Sequence, residues 1–235
     1  KMLVVALVSR KGGVGKTTLA GHLAVEAERA GHGLVAVVDT DPQGSLTDWW
    51  NARSAQTPAF VQTTLTGLER DLDLLRDHGT KMVIIDSPSA LTRAISDVVR
   101  VADLIVIPTR PSPHDVRALS ATVDMVEHLG KPLVFVINAA VPRTRITTET
   151  ISLISAYGPM VPATIGHRVD FASSMIDGRT VMELPGQSRS SAEISELWAY
   201  VHGRLTGTYQ PRQLPTISVA AEAIDLFGMN DARTA

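Results

Sequence analysis

One stretch constrains this chain more than any other: Lys11-Gly12-Gly13-Val14-Gly15-Lys16-Thr17-Thr18. It follows the apolar run Leu3–Val8 and leads into Thr17–Ala30, where Leu19, Leu23, Ala27 and Ala30 recur at helical spacing before Gly31. A strand, a glycine-rich turn and a helix, in that order, let backbone N–H groups curl around phosphate oxygens. Glycine removes the Cβ that would block that approach, and the helix N-terminus adds a field that favours negative charge. The spacing assigns Gly12, Gly13, Val14, Gly15 and Thr18 to the cradle. It assigns Lys16 to the β- and γ-phosphates and the Thr17 hydroxyl to Mg²⁺. The expected cofactors are ATP and Mg²⁺.

Two acidic clusters fall where such a loop needs them. Leu34–Val38 runs into Asp39-Thr40-Asp41-Pro42-Gln43-Gly44-Ser45-Leu46. Carboxylates at the C-terminal end of a strand face the ligand crevice of an open α/β sheet. Alone, the pair would read as a strand-end turn with Asp before Pro; beside a phosphate loop it reads as part of a site. Met82–Ile85 ends in Asp86, the Walker B pattern, and a carboxylate there can hold Mg²⁺ through water. Ser87-Pro88 then begins a second switch.

Further apolar runs at Leu104–Ile107 and Leu133–Ile137 predict two more strands, and Met160–Ile165 offers an edge strand. Asp115–Leu129 reads as one helix through Val116, Leu119, Val123 and Val126. Ser190 and Glu193 form a capping box ahead of Ile194, Leu197, Val201 and Leu205. Alternating strands and helices predict an α/β fold: a mostly parallel, twisted sheet with helices on both faces, of the P-loop NTPase kind. The 235 residues suit one core. Residues 1–206 are expected to form the ATPase domain. Residues 207–235 are expected to be a linker and a short amphipathic tail through Ile217, Ala220, Ala221, Ile224 and Phe227.

Composition excludes several classes. The absence of cysteine removes disulfides, thiolate metal sites and iron–sulfur clusters. No apolar run approaches the roughly 18 residues of a membrane span, and the first strand starts so early that no leader is expected. A cytoplasmic location follows by default. The seven histidines show no metal-ligand spacing. Net charge is −2, so DNA binding would need a local basic patch. The tail carries Glu222 and Asp225 and no lysine, which argues against a membrane-surface helix.

The phosphate loop departs from the ordinary Walker pattern: Arg10 stands where glycine is usual, with Lys11 beside it. This arrangement resembles the deviant Walker A motif of the ParA/MinD ATPases, and Asp39-Thr40-Asp41-Pro42-Gln43 resembles their second motif. Asp41 to Trp49 and Ile107 to Asp115 look like the small ParF-type partition proteins. Ile165, Arg168, Gly178, Arg179, Val181, Glu183, Ser191 and Glu193 also follow the family pattern.

The resemblance implies roles. Lys11 reaches across an ATP-bound homodimer to the partner's phosphates, and Asp41 positions the attacking water. Asp39 supports the switch and the Mg²⁺ shell, Asn138 contacts the base, and the 107–115 turn lies at the nucleotide and dimer surface. The implied function is partition: the ATP dimer binds DNA without sequence preference, and a small ParB/ParG-like adaptor on the cargo stimulates slow hydrolysis. The location is then nucleoid-associated, with no stable membrane association. Arg143, Arg145, Arg168, Arg179 and Arg189 are the candidate DNA-facing cations. The competing readings are a positioning ATPase for a protein assembly or transferred DNA, a MinD-like membrane regulator, and a dethiobiotin-synthetase-type enzyme. Lys11 and the Asp-Pro-Gln motif oppose the last.

Overall fold

The computed structural model describes residues 1–89 and 92–209. Among these, six strands form one sheet: β1 (Leu3–Leu7), β2 (Val35–Asp39), β3 (Ala59–Gln62), β4 (Met82–Asp86), β5 (Leu104–Thr109) and β6 (Leu133–Ile137). The helices are α1 (Lys16–Arg29), α2 (Ser45–Asn51), α3 (Leu68–Asp77), α4 (Thr92–Val101), α5 (Pro113–Arg117), α6 (Ser120–His128), α7 (Arg145–Ile154), α8 (Val169–Met175) and α9 (Arg189–Thr206). The strand order is β3-β2-β4-β1-β5-β6, and every pairing is parallel. The chain leaves β1 toward one edge and later crosses to the other, so the order reverses around β1. Ligands bind at such a reversal, beyond the carboxyl ends of the strands.

Alternation along the strands builds two cores. Val5, Leu7, Val37, Ile84 and Val106 face one way, against Leu19, Leu23 and Ala24 of α1 and Ile194, Leu197 and Val201 of α9. Val4, Ala6, Val38, Ile85 and Ile105 face the other way, against α3, α4 and α6 through Leu72, Ile95, Val99 and Val123. Buried on both faces, these strands read as continuous apolar runs in the sequence. Among the described residues no helix is long and apolar enough to cross a membrane.

The structure departs from the sequence expectations in four places. β3 is an additional edge strand, short and half exposed, so it lacks the apolar run that marks the others. The stretch expected as one helix from Asp115 to Leu129 is two. Leu119 N–H donates to Val116 at 3.1 Å and Thr122 N–H to Leu119 at 2.8 Å, three-residue steps that break the α ladder at Ala118–Leu119. Met160–Ile165 is not a strand. It runs beside β6 through single backbone bonds, Val161 N–H to the Phe135 carbonyl and Ile165 N–H to the Ile137 carbonyl, both at 2.8 Å, and through isolated bridges of Phe135 to Met160 and, just past it, Ala140 to Gly166.

The capping box is two residues earlier than expected. Ser188 caps α9, and its hydroxyl and that of Ser191 exchange bonds with each other's backbone N–H. Ser190 instead donates to Asp170 at 2.6 Å, and Glu193 is taken by Arg168. The expected tail helix at Ile217–Phe227 lies outside the described residues.

Candidate nucleotide site

The phosphate loop joins the end of β1 to α1 at the centre of the crevice. Gly15 caps α1 with φ of 98°, a left-handed conformation that favours glycine. A Cβ there would lie 2.1 Å from Asn138 Nδ2, so the position also demands the absence of a side chain. α1 starts at Lys16, pointing its free N–H groups into the loop.

The two lysines of the loop differ in their surroundings. Lys16 is 6% exposed, and its ammonium donates to Ser89 Oγ at 2.5 Å. Burial lowers its pKa, against the opposing pull of Asp86 and Asp41. Lys11 is exposed, its backbone N–H donates to Ser9 Oγ at 3.1 Å, and no ion pair engages its ammonium among the described residues.

Three carboxylates surround the loop. Asp39 is fully committed to the chain that follows it: Oδ1 accepts from Asp41 N–H at 3.0 Å, and Oδ2 accepts from Thr47 N–H at 2.9 Å and Thr47 Oγ at 2.7 Å. It braces the loop that leads into α2, with one hydrogen bond on Oδ1 and two on Oδ2. Asp41 itself is half-buried, accepts from Gln43 N–H at 3.0 Å, and lines the main cavity with Lys16 and Gln43.

Asp86 accepts from Thr17 Oγ1 at 2.5 Å through Oδ2, while its buried Oδ1 has no partner. Burial pushes its pKa up to about 7, against the stabilising pull of Thr17 and Lys16. A threonine hydroxyl and an orphaned carboxylate oxygen beside a phosphate cradle are oxygen donors that a hydrated Mg²⁺ ion takes. The residues present therefore fit that ion, which Thr17 and Asp86 would hold.

The main cavity has a volume of about 720 Å³, within the range of small-molecule sites. The loop and Asp41 form one side, α2 contributes Asp48 and Trp49, and α8 contributes Ala172 and Met175. A cavity of about 170 Å³ shares Gly15, Thr18, Arg110 and Ala172 with it and extends to Asn138, Ala139 and His167. Asn138, expected at the base, donates from Nδ2 to the Val14 carbonyl at 2.7 Å. Its amide nitrogen props the phosphate loop, and the residue also lines the second cavity. Arg110, from the 107–115 turn expected at the nucleotide surface, lines both cavities, and Ser89 is a lining residue that the motifs did not single out.

Of the five candidate DNA-facing arginines, Arg168 and Arg189 meet on one carboxylate, Glu193, and no contact among the described residues joins the other three to them. Arg168 is tied to Glu193 by two bonds of 2.5 and 2.8 Å, so it braces the 166–168 segment against α9. Arg145 pairs with Glu149, Arg179 with Asp177 and Arg189 with Glu193, all at exposed positions. Arg143 is exposed, with φ of 61°.

Comparison with known proteins agrees with this geometry. The profile described as "CobQ/CobB/MinD/ParA nucleotide binding domain" matches residues 5–181. The maintenance of carboxysome distribution protein A of Halothiobacillus neapolitanus is 30% identical over 204 residues, which covers 82% of this chain and 93% of that protein. Among solved structures, the septum site-determining protein MinD with Mg-ADP from Pyrococcus horikoshii has a TM-score of 0.72 at 15% identity, covering 90% of this chain and 100% of that one. A ParA family ATPase from Chlorobium tepidum has a TM-score of 0.67 at 20% identity, covering 85% and 100%. At these identities the two structures bear on the fold alone.

Proposed function

The chain belongs to the CobQ/CobB/MinD/ParA nucleotide-binding family and is an ATPase of its positioning and partition kind, and from that membership we propose that Mg-ATP drives it into a sandwich dimer that binds DNA without sequence preference. Hydrolysis, slow in the free dimer and stimulated by a cargo-bound adaptor, returns it to monomers. The observation that carries this reading is the contrast between the two lysines of one loop. Lys16 is buried against the phosphate site, and Lys11 stands exposed without an ion pair among the described residues. A cation held outside its own site is suited to stabilise charge in a facing one.

Within that scheme Thr17 and Asp86 hold Mg²⁺, which would neutralise phosphate charge when bound. Asp41 orients the attacking water, with Asp39 fixing the loop that carries it. Asn138 borders the base. Phosphate contacts from exposed arginines such as Arg143, Arg145, Arg179 and Arg189 give affinity and carry no sequence information. Residues 1–206 form the ATPase unit and 207–235 a tail, a division supported by the end of α9 at Thr206 and the left-handed Gly207.

The test mixes two inactive variants. Lys11→Ala keeps its own Asp41, and Asp41→Ala keeps its own Lys11, so a mixed dimer holds one site with both groups. Turnover should return on mixing, to a quarter or so of wild type at most. If sedimentation shows mixed dimers with ATP and activity stays absent, Lys11 does not act across subunits.

A second reading of the cargo has its own support. The relative from Halothiobacillus neapolitanus is named for carboxysome distribution, and its match spans 93% of that protein. On this reading the cargo is a protein assembly and the DNA is the track. An adaptor recovered with ATP-loaded protein that itself binds a DNA site would favour partition over this alternative.

A further inference from the structure

The segment after α8 touches both walls of the nucleotide cavity through residues to which no catalytic role has been given. Arg53 lies two residues beyond α2, and its side chain is 3% exposed. All five of its N–H groups are used. Nη1 donates to the Gly178 carbonyl at 2.6 Å and to Glu183 Oε2 at 3.0 Å, and Nη2 donates to Glu183 Oε1 at 2.8 Å. Nε and Nη2 also donate to the Thr57 carbonyl at 3.1 and 2.8 Å. Glu183 accepts in addition from Thr180 N–H and Oγ1 at 2.8 and 3.0 Å. Gly178 has φ of 74°, and a Cβ there would fall 2.2 Å from Arg53 N. Two backbones meet at a distance that only glycine allows.

The same segment grips the phosphate-loop helix. Val181 N–H donates to His22 Nε2 at 3.2 Å, and His22 Nδ1 donates to the Thr18 carbonyl at 2.7 Å. Those two bonds fix the neutral Nδ1–H tautomer, and burial, which lowers the His22 pKa to about 4, keeps it neutral. Trp49 of α2 closes the third side. Its Nε1 donates to the Arg179 carbonyl at 3.0 Å, and its ring lies so near Gly21 of α1 that a Cβ there would meet it at 3.3 Å. The Arg53 guanidinium stands 4.9 Å from the centre of the Trp49 ring.

α2 is therefore fastened at both ends, by Asp39 to Thr47 at its start and by Arg53 to Glu183 beyond its end. The loop in front of it carries Asp41 and Gln43. We propose that Arg53, Glu183 and Gly178 form a latch that holds α2 against the phosphate-loop helix and so sets the position of Asp41 for hydrolysis. Arg53 and Glu183 are then positioning residues, remote from the phosphates. The inference rests on the reading of Asp41 as the water-orienting residue.

The experiment uses the full chain and three readouts: phosphate release, affinity for a non-hydrolysable ATP analogue, and hydrogen exchange of the amides of α2. Glu183→Gln keeps the shape and removes the charge. It should lower kcat at least tenfold, leave analogue affinity within twofold, and speed exchange in α2 at least tenfold while α9 is unchanged. Arg53→Lys keeps the charge with fewer donors and should show the same split in smaller measure. If Arg53→Lys does not fold, Glu183→Gln alone decides. A wild-type kcat per folded molecule, or a fall of kcat and affinity together in step with thermal stability, overturns the latch. So does a slower kcat with α2 exchange unaltered. Asp41→Asn separates the two levels. Normal turnover in Asp41→Asn sinks the role given to Asp41, whereas an inactive Asp41→Asn beside a fully active Glu183→Gln sinks only the latch.

Discussion

The carboxyl ends of β2 and β4 carry the same residue in the same register: Asp39 stands opposite Asp86 across the parallel pair. Their surroundings differ. Asp39 receives three hydrogen bonds from the chain just after it. Among the described residues Asp86 receives one and leaves an oxygen buried without a partner, and burial raises its pKa to about 7. Asp39 shapes the fold locally. Asp86 is left short of bonds and of compensating charge, the state expected of a group whose partner arrives with the nucleotide. On the proposed function, two identical side chains on neighbouring strands divide structure from chemistry, and the division can be tested from both sides.

The largest effect is expected at Asp86. Asp86→Asn should slow hydrolysis roughly a thousandfold, because the site loses the charge that holds a cation against the phosphates. Its stability should move the opposite way. A carboxyl with a raised folded pKa holds its proton more tightly folded than unfolded, so metal-free stability falls as pH rises from about 4 to about 7 and stays low above. Asparagine cannot ionise, so that slope should vanish. At pH 8 in chelator the variant should gain about 1–3 kcal/mol by denaturant titration. A loss of stability there would mean Asp86 is a brace like Asp39.

Asp39→Asn should do the reverse. Each carboxylate oxygen faces N–H or O–H donors, so an amide turned either way sets its NH₂ against one of them. The expected cost is about 2–3 kcal/mol of stability. Because the displaced loop carries Asp41, kcat should fall about tenfold with nucleotide affinity within threefold. A stable variant that has lost affinity would return Asp39 to the metal shell.

How much of this the sequence foretold depends on whether the chemistry is contiguous in the chain. The phosphate loop from Lys11 to Thr18 and the strand-end aspartates were legible because strand, loop and helix are consecutive, and each motif is complete within a few residues. The parallel sheet was legible because doubly covered strands carry unbroken apolar runs. β3 escaped because an edge strand of Ala59–Gln62 is half exposed and needs no such run. The cap of α9 was misplaced because Ser188, Ser190 and Ser191 are all capable of the role. Ser190 is withdrawn by Asp170, a partner 20 residues away. Arg53 and Glu183 lie 130 residues apart, and no local pattern marks them as a pair. The difference between Asp39 and Asp86 was invisible for the same reason: it lies in what surrounds each carboxylate, and for Asp86 that is set by long-range packing.

The smallest expected effect gives the finest control. Thr47 meets Asp39 Oδ2 twice, through its N–H at 2.9 Å and its hydroxyl at 2.7 Å. Thr47→Val keeps the branched shape and the N–H bond and removes only the hydroxyl. Asp39 should then keep two of its three bonds and remain in place, since one neutral-donor bond to a carboxylate contributes about 1–2 kcal/mol. A stability loss of about 1 kcal/mol and a two- to fourfold fall in kcat are expected, with Thr47→Ser close to wild type in both. Were Thr47→Val silent while Asp39→Asn is severe, the backbone donors alone would account for the bracing. Were both silent, Asp39 would be no more committed than Asp86, and the division between the two strand ends would fail.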